Sequence, residues 1–224
     1  MSDTVQLMLV AECDAAMREP LTAALDRFDV SCVLIVPPGW QPTSLDDDAE
    51  TVALPALDHD VCRALVELIQ GHDAAALVAN DAALAQAVGA DGCHLDHSEA
   101  LEEAYRSARG FLGTQAIVGV MPGGTRHMAM TLAEAGTDYT GFAVTGDADD
   151  QGADRVGWWA EIFESPVVAF TSGDIGICRR AIEAGPPDLL GLPLPADGDL
   201  QALAAVAKLI EECGQLPVAA KDAK

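Results

Sequence analysis

Side chains able to hold a hard cation cluster in two short stretches of this sequence. Asn80 and Asp81 follow the apolar run 75–79, and Asp96, His97 and Glu99 follow the run 92–95. A magnesium ion accepts one or two carboxylates and keeps several waters, so Asp81 with Glu99 forms the best candidate pair. Both also suit a plainer role. Asp81 stands where a helix N-cap is expected, and Glu99 where a first-turn acid would favour the helix dipole. The stretch Pro122 to Arg126 carries two glycines, Thr125 and a cation ahead of a helix. Glycine-rich backbone at such a start can receive an anion, and Arg126 could clamp it. Ser172 and Gly173 occupy a similar position after the run 167–171. Cys93 and His94 are strand neighbours pointing to opposite faces, which argues against a thiol–imidazole pair. His94 itself reads as a packed, hydrogen-bonded core histidine.

These residues share a site only if the fold brings strand ends together. Short β-rich runs alternate with Ala- and Leu-rich segments, the signature of βα units and a parallel sheet. Eight strands are expected near 5–11, 31–36, 75–79, 92–95, 116–121, 139–144, 167–171 and 189–193. Helices are expected between them, near 15–28, 60–70, 81–88, 98–108, 126–135, 154–164, 174–184 and 199–213. Eight such units predict a single (β/α)8 barrel over 1–214, with a flexible tail over 215–224. A doubly wound open sheet is the alternative. Its glycine fingerprint after the first strand is missing; the chain there reads Ala11-Glu12-Cys13-Asp14. The connection over 37–59 is long for a compact domain and reads as a solvated insertion or a functional loop.

Composition narrows the partners. The 224 residues include 36 acidic and 12 basic side chains, a formal net charge of −24. Such a surface repels nucleic acid and anionic membranes. The N-terminus lacks a basic segment followed by an apolar run, and the six cysteines show no Cys-x-x-Cys spacing. A cytoplasmic protein with reduced, buried thiols is expected, with a homo-oligomer as one option.

Several segments resemble the thiamine phosphate synthase family, which includes thiazole tautomerases. VAND at 78–81 and AVGADGCHL at 87–95 are similar to the family's third and fourth strands. IVGV at 117–120, AGTDYTGF at 135–142 and SPVVA at 165–169 continue the register. The resemblance implies a barrel that joins a hydroxymethylpyrimidine diphosphate to a thiazole phosphate and releases pyrophosphate, with Mg2+ on the diphosphate. It matches Asn80 and Asp81 to the family's strand 3 pair, the Asp holding Mg2+, and Glu99 to its second metal carboxylate. Small phosphorylated thiamine precursors are the implied partners, with Asn80, Thr125, Arg126, Ser172 and Gly173 as substrate-binding residues. The chain departs from the pattern where phosphate is held. The basic segment after strand 2 is Val36-Pro37-Pro38-Gly39-Trp40. The strand 8 cradle is Gly191-Leu192-Pro193, and proline has no N–H to donate. Two further readings therefore stand: a catalytically degenerate barrel serving binding or assembly, and a different metal-dependent enzyme with an acidic mouth.

Overall fold

The computed structural model describes residues 5–42, 54–123, 125–146 and 151–214. Eight strands run β1 Gln6–Glu12, β2 Val30–Val36, β3 Ala75–Ala79, β4 Gly92–Leu95, β5 Ile117–Val120, β6 Tyr139–Ala143, β7 Val167–Phe170 and β8 Leu189–Pro193. They pair in parallel in chain order, and β8 closes on β1. The expected ring is thus observed, and all strand C-terminal ends open on one mouth. The proposed tail over 215–224 lies outside the described residues, as do 43–53 of the long connection.

The helices α1 Arg18–Leu25, α2 His59–Gln70, α3 Ala82–Val88, α4 Leu101–Leu112, α5 Arg126–Glu134, α6 Gly152–Ile162, α7 Ile175–Ala184 and α8 Gln201–Gly214 follow the strands in turn. The first begins later than the sequence predicts. Asp14 accepts from the Ala16 N–H and sets a 3-10 turn over Ala15–Met17, and α1 then starts with Pro20 in its first turn. A proline is tolerated there because the first-turn N–H groups have no intrahelical acceptor. No helix among the described residues is long and apolar enough to cross a membrane.

Two apolar layers result. The outer one lies between strands and helices and includes Leu9, Ile35, Val78, Cys93, Val118 and Trp159. The inner one fills the barrel with Met8, Leu34, Leu77, Met121, Tyr139, Val168 and Phe170. Strand alternation assigns the residues to these layers. It puts Cys93 outward and the fully buried His94 inward, as expected.

The inner layer holds large rings because neighbouring strands offer no side chain. His94, Gly119 and Tyr139 stand in register across β4, β5 and β6. A Cβ on Gly119 would lie 1.9 Å from the Tyr139 ring, so the glycine opens the space that ring fills. Phe170 is flanked likewise by Gly141 and Gly191, where a Cβ would come within 2.5 Å of its ring.

Candidate functional site at the barrel mouth

The mouth has two dissimilar halves. On the β3–β4 side a polar chain rises from the core. The Tyr139 hydroxyl lies 2.8 Å from His94 Nδ1, and the two rings stack with an interplanar angle of 11°. His94 Nε2 lies 3.4 Å from Asp96 Oδ1. The alignment is too poor for a hydrogen bond, and neither atom has another partner, so the contact is electrostatic. A carboxylate there favours the proton on Nε2, leaving Nδ1 to accept from Tyr139.

Asp96 is the hub. Its Oδ2 accepts from Trp40 Nε1 at 2.7 Å and from Asn80 Nδ2 at 2.6 Å, while its N–H donates to Asn80 Oδ1 at 2.8 Å. Burial pushes the Asp96 carboxyl upward, but His94, Trp40 and Asn80 together outweigh it and hold the group below the ordinary carboxylate range. Asn80 has a φ of 55°, in the left-handed region that asparagine tolerates better than most residues. One side chain therefore serves the backbone turn and the pair with Asp96. Burial prevails on groups with fewer partners. It raises the Tyr139 hydroxyl well above its usual value, and it moves the Cys32 and Cys93 thiols to about 12 and about 11, which keeps both thiols protonated.

On the other side, between β6, β7, β8, β1 and β2, a cavity of about 380 Å³ opens. Its walls are mostly apolar: Val10, Val36, Trp40, Phe170, Ile177 and Leu194. Glu12, Thr171 and Ser172 supply polar groups. Trp40 separates the halves, with its N–H on Asp96 and its ring edge-on to Phe170 at 5.9 Å. Glu12 fixes that placement by accepting from the Gly39 N–H at 2.8 Å. The start of the long connection is therefore no solvated insertion. Residues 37–40 fold over the mouth, and Trp40 is 7% exposed.

The sequence-predicted site residues distribute unevenly over this geometry. Asn80 is locked to Asp96. Asp81 caps α3, accepting from the Leu84 N–H at 2.8 Å through Oδ1. Glu99 is exposed beyond β4, on the same rim as Asp81. Thr125 caps α5 by accepting from the Met128 N–H, and Arg126 lies over the Trp158 ring at 4.6 Å. Ser172 lines the cavity, and the Gly173 N–H donates to Thr171 Oγ1 at 3.2 Å. Of the seven, Ser172 alone reaches the cavity. A second cation approaches the rim from α7, where Arg180 donates to the Thr145 carbonyl just past β6.

The thiamine monophosphate synthase family model matches residues 55–185. The chain is also 31% identical over 176 residues to a thiamine-phosphate synthase of Rhodospirillum centenum, covering 76% of this chain and 77% of the relative. The chain belongs to the thiamine monophosphate synthase family. A second relative, the thiamine-phosphate synthase of Erythrobacter litoralis, is 35% identical over 139 residues, 57% of this chain and 63% of its own length, just under two thirds. Among solved structures, a thiamine phosphate pyrophosphorylase from Pyrococcus furiosus superposes with a TM-score of 0.68 over 94% of this chain and 98% of that one. At 20% identity that likeness speaks to the barrel alone. A tryptophan synthase from M. tuberculosis fits with a TM-score of 0.61 at 13% identity, covering 95% and 93% of the two chains. The family model covers β3 to β7, which carry Asn80 and Asp96 of the polar half and the β6–β7 wall of the cavity; β1, β2 and β8 lie outside the matched segment.

Sequence reasoning sets Glu12 at the end of the first strand without a role, and it missed Trp40 and the pairing of Tyr139. Trp40 and Glu12 act through the loop after β2, and no periodicity reveals that contact. Tyr139 was legible as a strand residue, and its pairing with His94 needed the register across Gly119.

Proposed function

We propose that this protein acts in thiamine biosynthesis as a transferase, joining a hydroxymethylpyrimidine diphosphate to a thiazole acceptor and releasing pyrophosphate. In the family's reaction the acceptor is a thiazole phosphate. The observation that carries the reading is the family match across β3 to β7, five of the eight strands whose ends build the mouth.

The donor set on the β3–β4 rim suits a magnesium ion that arrives with a diphosphate. Asp81 and Glu99 are both exposed at the C-terminal ends of neighbouring strands, and the α3 cap uses one Asp81 oxygen. Mg2+ commonly takes one or two carboxylates and completes its shell with water and substrate oxygens. Among the described residues no group of three or more His, Cys, Asp or Glu could hold a metal by itself, so substrate oxygens would have to complete the shell. Bound there, Mg2+ would supply charge neutralisation for the diphosphate. Such help is needed on an acidic rim, because one like-charge contact at 4 Å costs on the order of 4 kcal/mol at an effective dielectric of ~20.

The chain's own residues would bind and orient. Asp96, held ionised, would accept from a donor on a flat ring once Trp40 moves aside. The apolar cavity would hold the acceptor and exclude water. Asn80 would keep Asp96 aimed at the mouth, and Ser172 would contact the acceptor's tail, with Gly173 turning the loop behind it. Thr125 and Arg126 would reach substrate phosphate if the guanidinium leaves Trp158.

The test is direct. Pure protein is incubated with the pyrimidine diphosphate, a thiazole acceptor and Mg2+, and coupled product and pyrophosphate are measured. Absence of both at high enzyme concentration refutes the reading. A second reading, a non-catalytic binding barrel, is favoured by the Trp40–Asp96 bond, which fills the polar half of the mouth with the protein's own indole. Complementation of a thiamine auxotroph would eliminate it.

A further inference from the structure

We infer that the cavity between β6 and β2 takes an acceptor ring without a phosphate: a flat, uncharged heterocycle carrying a short hydroxylated tail. The inference rests on the transferase reading for its chemistry and on the cavity alone for its binding.

The lining contains no Lys or Arg among the described residues. In a (β/α)8 barrel, phosphate is commonly received by backbone N–H groups behind strands 7 and 8 and by a helix N-terminus. Here four of those donors are engaged inside the protein. The Thr171 N–H donates to the Gly191 carbonyl, and the Leu194 N–H to the Val10 carbonyl. Pro193 between them has none. The Gly173 N–H is held by Thr171 Oγ1 and the Asp174 N–H by Ser172 Oγ.

The start of α7 is closed by its own acid. Asp174 Oδ1 accepts from the Gly176 and Ile177 N–H groups at 2.9 and 3.1 Å. A carboxylate sits where an anion would bind, and it would repel an incoming one. The approach to α8 is closed similarly, with Asp199 accepting from the Gln201 N–H and donating its own N–H to Asp197. Glu12 adds a negative charge inside the cavity. What remains is apolar wall with a few hydroxyls, which suits a neutral ring and a hydroxyl tail.

The reaction balances with such an acceptor. The ring nitrogen's lone pair forms a C–N bond to the pyrimidine's methylene carbon. The C–O bond to the diphosphate breaks, and its electron pair leaves with pyrophosphate. The ring becomes a cation, no proton or oxidant is consumed, and the product is the unphosphorylated vitamin. Glu12 then faces a positive ring.

The test is calorimetric titration of the full chain, without metal, with the thiazole alcohol and separately with thiazole phosphate. The alcohol should bind at least tenfold more tightly. Ile177→Trp, which fills the cavity, should weaken it at least tenfold, and Ser172→Trp at an exposed lining position gives the same reading should the first variant fail to fold. Equal or tighter binding of the phosphate overturns the inference. So does binding of neither compound, or alcohol binding that persists in a folded blocking variant. Alcohol binding without turnover by pyrimidine diphosphate and Mg2+ would remove the transferase reading while supporting the preference of the cavity.

Discussion

Replacing Trp40 by Phe isolates one bond at the centre of the mouth. A phenyl ring keeps the packing against Phe170 but cannot donate to Asp96, whose side chain is 17% exposed. A hydrogen bond to a charged group contributes about 1.5–3 kcal/mol, and partial exposure places this one near the lower end. Trp40→Phe should therefore destabilise by about 2 kcal/mol. With a urea slope of roughly 3 kcal/mol per molar, the midpoint should fall by about 0.7 M. The slope itself should not change, because the exposed area on unfolding is nearly the same. A double-mutant cycle with Asp96→Asn assigns the loss to the pair. The two substitutions together should be less harmful than their sum by at least about 1 kcal/mol. Strict additivity, or a Phe variant within about 0.3 kcal/mol of the parent, would mean that the indole is not held by Asp96 in solution, and the two-sided mouth would lose its partition.

Three further outcomes are expected. Gly119→Ala should cost at least about 2 kcal/mol and lower the thermal midpoint, because its methyl collides with a Tyr139 ring pinned by His94; an unchanged midpoint would place that ring elsewhere. Asn80→Gly should retain more stability than Asn80→Ala, since both lose the Asp96 pair but only glycine adopts a φ of 55° without strain; equal denaturation midpoints would remove the backbone argument. Asp96 also sets a pH dependence. Its folded pKa lies below its unfolded one, so its stabilisation is complete above the unfolded value of ~3.9 and fades as pH falls through the folded value. The stability gap between the parent and Asp96→Asn should accordingly narrow as the pH is lowered from about 6 to 3, and a gap constant over that range would contradict the depressed carboxyl.

The barrel was legible because its strands are apolar on both faces and recur at βα spacing. Cys32 to Val36 and Ala116 to Val120 announce buried parallel strands, and the ring follows from eight βα repeats. The site was legible only by strand end. Sequence placed Asn80, Asp81, Asp96 and Glu99 after the third and fourth strands, and the closed sheet sets those two strands side by side. It could not tell which oxygens were already engaged. Asp81 and Asp174 look the same as potential ligands and as caps, and the Leu84, Gly176 and Ile177 N–H groups decide in favour of caps for one oxygen of each. Trp40 was hidden for a different reason. A loop residue carries no periodicity, and its contact with Asp96 spans 56 positions of sequence.

Core and mouth answer to different physics in this family member. The core requires only volume and alternation, so the inner layer tolerates rings wherever glycines on adjacent strands make room, as around Tyr139 and Phe170. A phosphate site requires free N–H groups and positive charge, and each can be lost by one substitution at a strand end. Pro193 offers no donor, Asp174 satisfies two more with a negative group, and Trp40 sets an indole on Asp96 at the mouth. None of these features disturbs the outer apolar layer or the closure of β8 on β1. The barrel therefore does not depend on what its mouth holds, because the residues that close the ring are not those that line the cavity's polar edge. Asp174 shows how closely fold and mouth can meet in one atom, because the oxygen that accepts from the Gly176 and Ile177 N–H groups at the strand end also starts helix α7.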